Sequence, residues 1–269
     1  MTFLVSTLAA PWRSAVRHRA LLLATSKVEL RRRYAGSVLG LLWLLAGPLF
    51  LITIYAVIYL VVFRFRPAEM NEIDYVFYIL SGLVAFLGFS EALQAGTTSL
   101  TANREILLNT VFPAELVPLR AVLVSSTTML VGVAAVIVGC AGFGKLEPIA
   151  LLAPVILLAQ TMFVAGIGWI FALANLVVRD VQQILVYVTI ILLVASPIAY
   201  LPSMLPSSLA VLIYANPLSY YVIALQHVIV LGIWPPLPVL IVGGVLAVGA
   251  FSLGFLVFAR AKQAIFDYA

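Results

Sequence analysis

The chain has 269 residues, of which 64% are hydrophobic and only 9% are charged, and its formal net charge is +5. A soluble globular domain carries about 25% charged residues, so this composition excludes a soluble fold and indicates a polytopic membrane protein. In such a protein basic residues concentrate in cytoplasmic loops, so the net charge does not indicate nucleic-acid binding.

The first predicted element is an amphipathic helix over residues 12–34 that lies in the membrane interface. Basic residues occupy one side of it, and a simple topogenic anchor explains the pattern as well as a functional role does. The opposite, apolar face consists of Trp12, Val16, Ala20, Leu23, Leu30 and Tyr34.

Six apolar runs then follow that are long enough to be spanning α-helices, which need about 20 residues. Their length and lack of alternation exclude barrel strands. The predicted fold class is therefore an all-α polytopic membrane protein with a single transmembrane domain over 1–269. The six predicted spans are 37–63, 76–100, 117–141, 149–177, 183–201 and 237–259.

The sequence GCAGFGKL at 139–146 resembles a phosphate-binding P-loop but lacks two of its requirements. The motif needs Ser or Thr after the lysine to bind Mg²⁺, and Leu146 stands there. It also needs a preceding strand, whereas the run before Gly139 is too long for one. We therefore expect a glycine-rich turn between two spans and no nucleotide hydrolysis by this chain.

The segment 202–236 is apolar, but prolines interrupt it at five positions. Proline removes a backbone donor and tends to break a helix, so the pieces 207–215 and 218–234 are short for full spans. We predict two re-entrant or external helices here, at the outer mouth of a pathway. Irregular backbone at membrane depth is tolerated only when protein buries it or when it lines a water-filled cavity.

The distribution of Lys and Arg predicts the orientation. With a cytoplasmic N-terminus, twelve basic residues lie inside and only Arg64, Arg66 and Lys145 lie outside, as the positive-inside rule requires. Both termini are then cytoplasmic, and the glycine-rich turn is on the side without ATP. A seventh span would move Arg260 and Lys262 outside.

Four sequence segments resemble, in order, the permeases of type-2 ABC exporters that move polysaccharides. The first, ELRRRYAGSVLGLLWLLAGPLF (29–50), carries the family's spaced residues at the entry to span one, with Gly47 where Asn is common. The others are NREILLNTVFPAELVPL (103–119), RDVQQIL with SPIAY (179–185 and 196–200), and NPLSYYVIALQ (216–226). In the first segment the matching positions are Arg33, Tyr34, Ser37, Gly40, Trp43 and Pro48.

This resemblance implies a homodimer of six-helix subunits that binds two cytoplasmic ATPase subunits in the bacterial inner membrane. It implies export of a lipid-linked polysaccharide, such as O-antigen, through a channel between the two permeases. ATP and Mg²⁺ would be held by the partner subunits, with no cofactor in this chain. It also implies two re-entrant helices before the last span.

Residues that contact an ATPase are expected in the two inside loops. Phe112 would insert into an ATPase cleft and Pro113 would preset the turn, although both residues could instead only seat the start of span three. Arg179 and Asp180 could pair with each other or with the partner. The full predicted set is Asn103, Arg104, Glu105, Phe112, Pro113, Glu115, Arg179 and Asp180.

Aromatic side chains can stack on the apolar faces of sugar rings, so they are the predicted channel lining. Tyr55 and Tyr59 are four residues apart and share a helix face. The alternative is that these aromatics form interfacial belts or pack in the core. The predicted lining residues are Trp43, Phe50, Tyr55, Tyr59, Trp169 and Tyr187.

Glu91 lies inside span two, where an acid is costly and favours a functional interpretation. We expect it to pair with an arginine of the 12–34 helix and to shape a substrate entrance with Arg31, Arg33 and Tyr34. The alternative is a carboxylate that reaches the interface or a protonated, hydrogen-bonded acid. Separately, the resemblance implies an outer gate at Asn216, Pro217, Tyr220 and Tyr221.

Other functions remain open on sequence alone. A type-2 exporter of drugs or lipids would need a narrower path with fewer aromatics. A membrane enzyme acting on polyprenyl-linked sugars would need clustered acids for Mg²⁺, whereas the acids here are scattered. A proton-coupled carrier would want several intramembrane ionisable groups. The sequence offers no His/Cys cluster, so we predict no metal site.

Overall fold

A computed structural model describes residues 10–58, 70–104, 112–204, 206, 208 and 210–261, and every regular element in these ranges is helical. The helices are α1 (Ala10–Arg17), α2 (Arg19–Arg33), α3 (Trp43–Val57), α4 (Glu72–Ala102), α5 (Leu116–Gly142), α6 (Ala153–Val177), α7 (Val181–Ala195), α8 (Ala210–Ala215), α9 (Pro217–Gln226) and α10 (Leu237–Ala261). Short 3-10 turns, Gly40–Leu42 and Pro148–Leu152, precede α3 and α6, and a π-helical turn, His227–Leu231, continues α9.

Five helical stretches in the described ranges are long and apolar enough to span a membrane, against the six that the sequence predicts. They are Gly40–Val57, Glu72–Ala102, Leu116–Gly142, Pro148–Val177 and Leu237–Ala261. The first agrees with the predicted span 37–63 up to residue 58, and residues 59–63 lie outside the described ranges.

The predicted span 183–201 is a shorter helix than expected, because α7 has 15 residues and ends at Ala195. Fifteen residues rise about 22 Å, less than the roughly 30 Å of a bilayer core. The helix ends there because Ser196 precedes Pro197, and a residue before proline is pushed into extended backbone; Ser196 has φ −82° and ψ 139°.

Helix α4 lies at the centre of the core and α3 at its edge. In the most apolar 18 residues of α4, 78% of the residues are buried, whereas in the Gly40–Val57 stretch only 6% are buried. Helix α4 packs against α5, α6 and α9. Its start is well capped, because the Asn71 side chain accepts a hydrogen bond of 2.9 Å from the Asp74 N–H.

Helices α6 and α10 approach each other most closely where two glycines meet. A Cβ atom added at Gly166 would overlap the backbone of Ala250 and Phe251, and one added at Gly254 would overlap the Gly166 backbone. The two helix backbones are therefore in direct contact, which only glycine at these positions permits. This contact fixes the position of α10 on the core.

The bundle has two chemically different ends. The basic end holds the last turn of α4, the start of α5 and α2, with Arg33 and Arg120 among its cations. At the opposite, acidic end, Lys145 forms an ion pair with Asp74 at the start of α4. Helices α4 and α5 pack antiparallel, so the last turn of α4 and the start of α5 lie together at the basic end. The start of α4 and the end of α5 lie together at the other end.

The predicted amphipathic helix 12–34 is present as two helices, α1 and α2, which meet at His18 with φ −102° and ψ 15°. Trp12 packs against Phe251 of α10, with ring centroids 5.1 Å apart and an angle of 59° between the ring planes. On α2, Leu22 is buried while Leu23, a predicted member of the apolar face, is 72% exposed. The predicted face therefore packs on the protein at Trp12, whereas on α2 the buried leucine is Leu22 and not Leu23.

Candidate functional site

The structure pairs Glu91 with Arg33, as the sequence predicts. Glu91 lies on α4 and Arg33 is the last residue of α2, and the guanidinium donates to the Glu91 carboxylate. Side-chain exposures of 39% for Arg33 and 30% for Glu91 leave the pair open to solvent screening. It therefore adds only about 0–1 kcal/mol of stability and matters more for position.

Two clefts lie on either side of this pair and share its two side chains as walls. The polar cleft, of about 340 Å³, lies between α2, α4 and α5. The aromatic cleft, of about 410 Å³, lies between α3, α4 and α5. Besides Arg33 and Glu91, the polar cleft is lined by Glu29, Arg32, Thr98, Ser99, Asn103, Arg120 and Ser125 among others. The aromatic cleft adds Tyr34, Trp43, Gly47, Pro48, Leu51 and Thr128.

Three of the four predicted entrance residues therefore meet at one place, namely Arg33, Tyr34 and Glu91. Arg31, the fourth, is exposed on α2 and lines neither cleft. Trp43, predicted for the channel, joins this group instead because it lines the aromatic cleft. The arrangement places a cleft with several charged side chains beside one that adds aromatic and apolar residues, which suits an amphiphilic molecule.

Arg120 is a buried cation on α5 that sequence reasoning counted only as a positive charge. Its side chain is 8% exposed, and its Nη2 atom donates to Asn103 Oδ1 at 2.8 Å and lies 3.9 Å from Glu29 Oε2. Its guanidinium carbon lies 6.0 Å from the centre of the Phe112 ring. A basic residue inside an apolar helix marks a functional position by default, and that signal was present in the sequence.

The segment between α4 and α5 (residues 103–115, of which 105–111 lie outside the described residues), called here the inner loop, contains most of the predicted ATPase-contact residues. Arg104 is exposed, whereas Asn103 and Phe112 are half-buried beside Arg120. Glu105 lies outside the described residues. Phe112 is therefore only partly available for insertion into an ATPase cleft, because part of its side chain already packs on the protein.

The end of the inner loop is held against α6. Pro113 accepts a hydrogen bond of 2.9 Å from the Leu116 N–H and so forms the first turn of α5. The backbone carbonyl of Glu115 accepts a bond of 2.8 Å from Trp169 Nε1. These contacts agree with the alternative role of seating span three and leave the half-buried Glu115 side chain at the surface.

Trp169 is corrected from a channel residue to a core residue. It is 1% exposed and packs against Phe251 and Phe255, with ring centroids 5.1 and 5.4 Å away. The indole is fully buried by these contacts and its N–H is satisfied, so it presents no surface to a passing sugar. The other aromatics differ: Phe50 is 60% and Tyr187 69% exposed.

Tyr55 is half-buried and packs on the core, while Tyr59 lies outside the described residues. The proposed pairing of these two tyrosines on one face therefore stays a prediction. At the other predicted inside turn, Arg179 and Asp180 are both exposed and form no ion pair with each other. Both side chains remain free for a partner.

Of the predicted gate residues, two are buried supports. Asn216 caps α9 by accepting from the Leu218 N–H at 3.0 Å and donates to Ser196 Oγ at 2.9 Å. Tyr221 is 2% exposed and donates to the Gly243 carbonyl at 2.9 Å. These contacts leave neither side chain free to line a gate in this conformation.

Tyr220 remains half-exposed, with its hydroxyl bonded to the Tyr214 carbonyl at 2.8 Å. Pro217 occupies the first turn of α9, where its missing N–H costs nothing.

Gln226, at the end of α9, is a polar residue that counts against a full span over 218–234 in the sequence and has a structural role in the fold. It is fully buried, and its Nε2 lies 2.9 Å from the Pro197 carbonyl and 3.4 Å from those of Tyr78 and Ile198. Its Oε1 has no partner. The side chain thus connects the break after α7 to α4. A glutamine inside an apolar run was the available signal.

The glycine-rich stretch forms a turn and not a phosphate-binding loop. Gly144, with φ +68°, follows the end of α5, and Lys145 is paired with Asp74. An α-helix precedes the turn where a P-loop needs a strand. The described residues also contain no group of three or more His, Cys, Asp or Glu side chains that could hold a metal ion.

The chain is similar to known membrane transport proteins. The family model for the ABC-2 type transporter matches residues 20–230. A Klebsiella pneumoniae protein named O-antigen export system permease protein RfbA is 27% identical over 215 residues, covering 79% of this chain and 81% of that protein. A Myxococcus xanthus protein of the same name is 26% identical over 223 residues, covering 80% and 84%.

The family match begins within α2 and ends within the π-helical turn after α9, so it includes both clefts and the inner loop. Because it covers well over half of the sequence, the chain belongs to the ABC-2 type transporter family.

Proposed function

We propose that this chain is the permease subunit of an ABC exporter that moves a lipid-linked polysaccharide, most directly O-antigen, across the bacterial inner membrane. The observation that carries the proposal is the similarity to O-antigen export permeases over about four fifths of both chains. In the proposed assembly two copies form a homodimer and two separate ATPase subunits bind ATP and Mg²⁺.

The orientation follows from the two ends of the bundle. The basic end faces the cytoplasm under the positive-inside rule, which places the inner loop and both termini on the ATPase side. Helix α7, with the break after Ala195, completes a sixth crossing, and α8 and α9 form the re-entrant segment before α10. Packing of α9 against α4 supports this arrangement, since irregular backbone at membrane depth needs protein around it.

The two clefts at the basic end supply the substrate entrance. An amphiphile with a charged head and an apolar chain matches a polar compartment beside an aromatic one. The Arg33–Glu91 pair stands between them, where its partial exposure allows it to open at small cost. The exposed Phe50 and Tyr187 are the aromatics that remain suited to a channel between two copies.

Deletion of the gene in its host tests the exported substrate. We expect loss of surface glycan and accumulation of lipid-linked glycan in the inner membrane, because the intermediate has no other exit. Restoration by the intact chain is the matched control. Normal surface glycan in the deletion strain would refute export of this polymer.

The inner loop is the proposed contact with the ATPase. Changing Phe112→Ala together with Glu115→Lys should weaken co-purification of the ATPase, since loss of a central aromatic anchor costs on the order of 2 kcal/mol, or roughly thirtyfold in affinity. The matched control is Phe143→Ala with Glu147→Lys at the acidic end, where both residues are exposed. Equal ATPase binding by the two double variants would exclude the inner loop as the contact.

A further inference from the structure

Arg120, in the wall of the polar cleft, has unused hydrogen-bonding capacity. Its Nε has no partner among the residues that the structure describes, although the side chain is only 8% exposed. Its distance to the Glu29 carboxylate, 3.9 Å, is well beyond the 2.7–2.9 Å of a strong charge-assisted hydrogen bond. A buried guanidinium in this state gains when a better acceptor arrives.

Two further groups that line the same cleft are also without partners. The Arg32 side chain makes no ion pair or hydrogen bond in the described part of the chain, and the Ser125 hydroxyl makes no hydrogen bond there. Three arginines against the two carboxylates of Glu29 and Glu91 leave the cleft positively charged. Guanidinium and hydroxyl donors around a positive cleft match the oxygens of a phosphate.

We propose that the polar cleft binds the phosphate groups of an anionic lipid and that Arg120 transmits its occupancy to the inner loop. Assignment of the lipid to the transported molecule rests on the proposed function. Bound phosphate draws Arg120 from its distant partner Glu29. The same guanidinium is hydrogen-bonded to Asn103 and lies over Phe112, so both ends of the described inner loop change their support.

The aromatic cleft accommodates the start of the lipid chain. Trp43 and Leu51 line it, and it shares the Arg33–Glu91 pair as a wall with the polar cleft. When Arg33 exchanges the carboxylate for phosphate, the two clefts join. The combined groove then takes a head and a chain together, which free inorganic phosphate cannot exploit.

Binding is measured on the full-length permease in nanodiscs of zwitterionic lipid, with a C15 isoprenyl diphosphate as the probe. Arg32→Gln should raise the dissociation constant at least about tenfold, because a charge-assisted contact to phosphate is lost. Ser125→Ala should raise it by a smaller factor. Arg17→Gln removes the same charge from α1, away from the cleft, and should bind as the unchanged chain does.

Transmission is measured as the ratio of ATP turnover with and without the probe, in the complex with the cognate ATPase. In Arg120→Lys this ratio should fall to about one, because lysine keeps the charge but cannot hold Asn103 and a phosphate in one planar fork. A merely structural role would lower both turnover rates and leave the ratio unchanged. A ratio in Arg120→Lys equal to that of the unchanged chain would overturn the transmission role.

Three outcomes test the site and its source. Equal affinity of Arg32→Gln and Arg17→Gln for the probe would overturn the binding site. Nanodiscs of phosphatidylglycerol can replace the probe as the source of phosphate. If they stimulate ATP turnover as much as the probe does, and Arg32→Gln suppresses this stimulation, the assignment to the transported lipid is overturned. If inorganic pyrophosphate binds as tightly as the probe, the lipid chain adds no affinity, and the proposal that the two clefts join into one groove is overturned. Surface glycan in the deletion strain reports separately on the proposed function.

Discussion

Replacement of Gly254 by alanine should disrupt the contact between α6 and α10. The new Cβ would overlap the carbonyl group of Gly166, which is backbone and cannot rotate away as a side chain would. Overpacking of this kind costs about 1–3 kcal/mol. Separation of the helices would also weaken the ring contacts of Trp169 with Phe251 and Phe255, so we expect about 3 kcal/mol lower unfolding free energy.

Gly249→Ala on the same helix is the matched control, because a Cβ there meets nothing within 4 Å. Alanine favours a helix over glycine by about 1 kcal/mol, so this variant should be unchanged or slightly more stable. Unfolding in detergent mixtures, followed by circular dichroism, measures both. If the two variants differ by less than about 0.5 kcal/mol, the helices do not meet at Gly254 and the packing argument is wrong.

Two further predictions concern the core and the orientation. Trp169→Phe should lower the unfolding free energy by about 1 kcal/mol through loss of its hydrogen bond to the start of α5, while Trp234→Phe, at an exposed position, should change it little. In a Cys140→Ala background, an impermeant thiol reagent applied to whole cells should label Lys145→Cys but not Arg104→Cys, whereas inside-out vesicles should reverse the pattern. The opposite pattern would invert the proposed orientation.

Helix positions and one site contact were predictable from the sequence because each depends on strong, local or intrinsically costly features. Long apolar runs locate α4, α5, α6 and α10 to within a few residues. Glu91 in an apolar run favours a nearby cation, and the end of α2 carries three consecutive arginines, Arg31, Arg32 and Arg33. The role of Asn216 before Pro217 as a helix cap also depends only on adjacent residues.

The remaining features depend on tertiary contacts that hydropathy does not encode. Residues 196–201 are apolar enough to extend α7, yet the backbone preference of Ser196 before Pro197 ends the helix earlier. Trp169 was assigned to a channel because a sequence cannot distinguish an inward from an outward indole. Arg120 acquires its partners from Glu29, Asn103 and Phe112, which lie on different segments of the fold.

The surroundings of Gln226 have a consequence for the break after α7. Its amide group carries two hydrogens, and of the three backbone carbonyls near Nε2 only that of Pro197 lies at a short distance, 2.9 Å, whereas those of Tyr78 and Ile198 lie at 3.4 Å. The Tyr78 carbonyl also accepts from the Ser81 hydroxyl at 2.9 Å, so it does not depend on this amide. The start of the chain beyond α7 is therefore tied to the buried end of α9 chiefly through one carbonyl, and loss of the amide would remove that donor from Pro197.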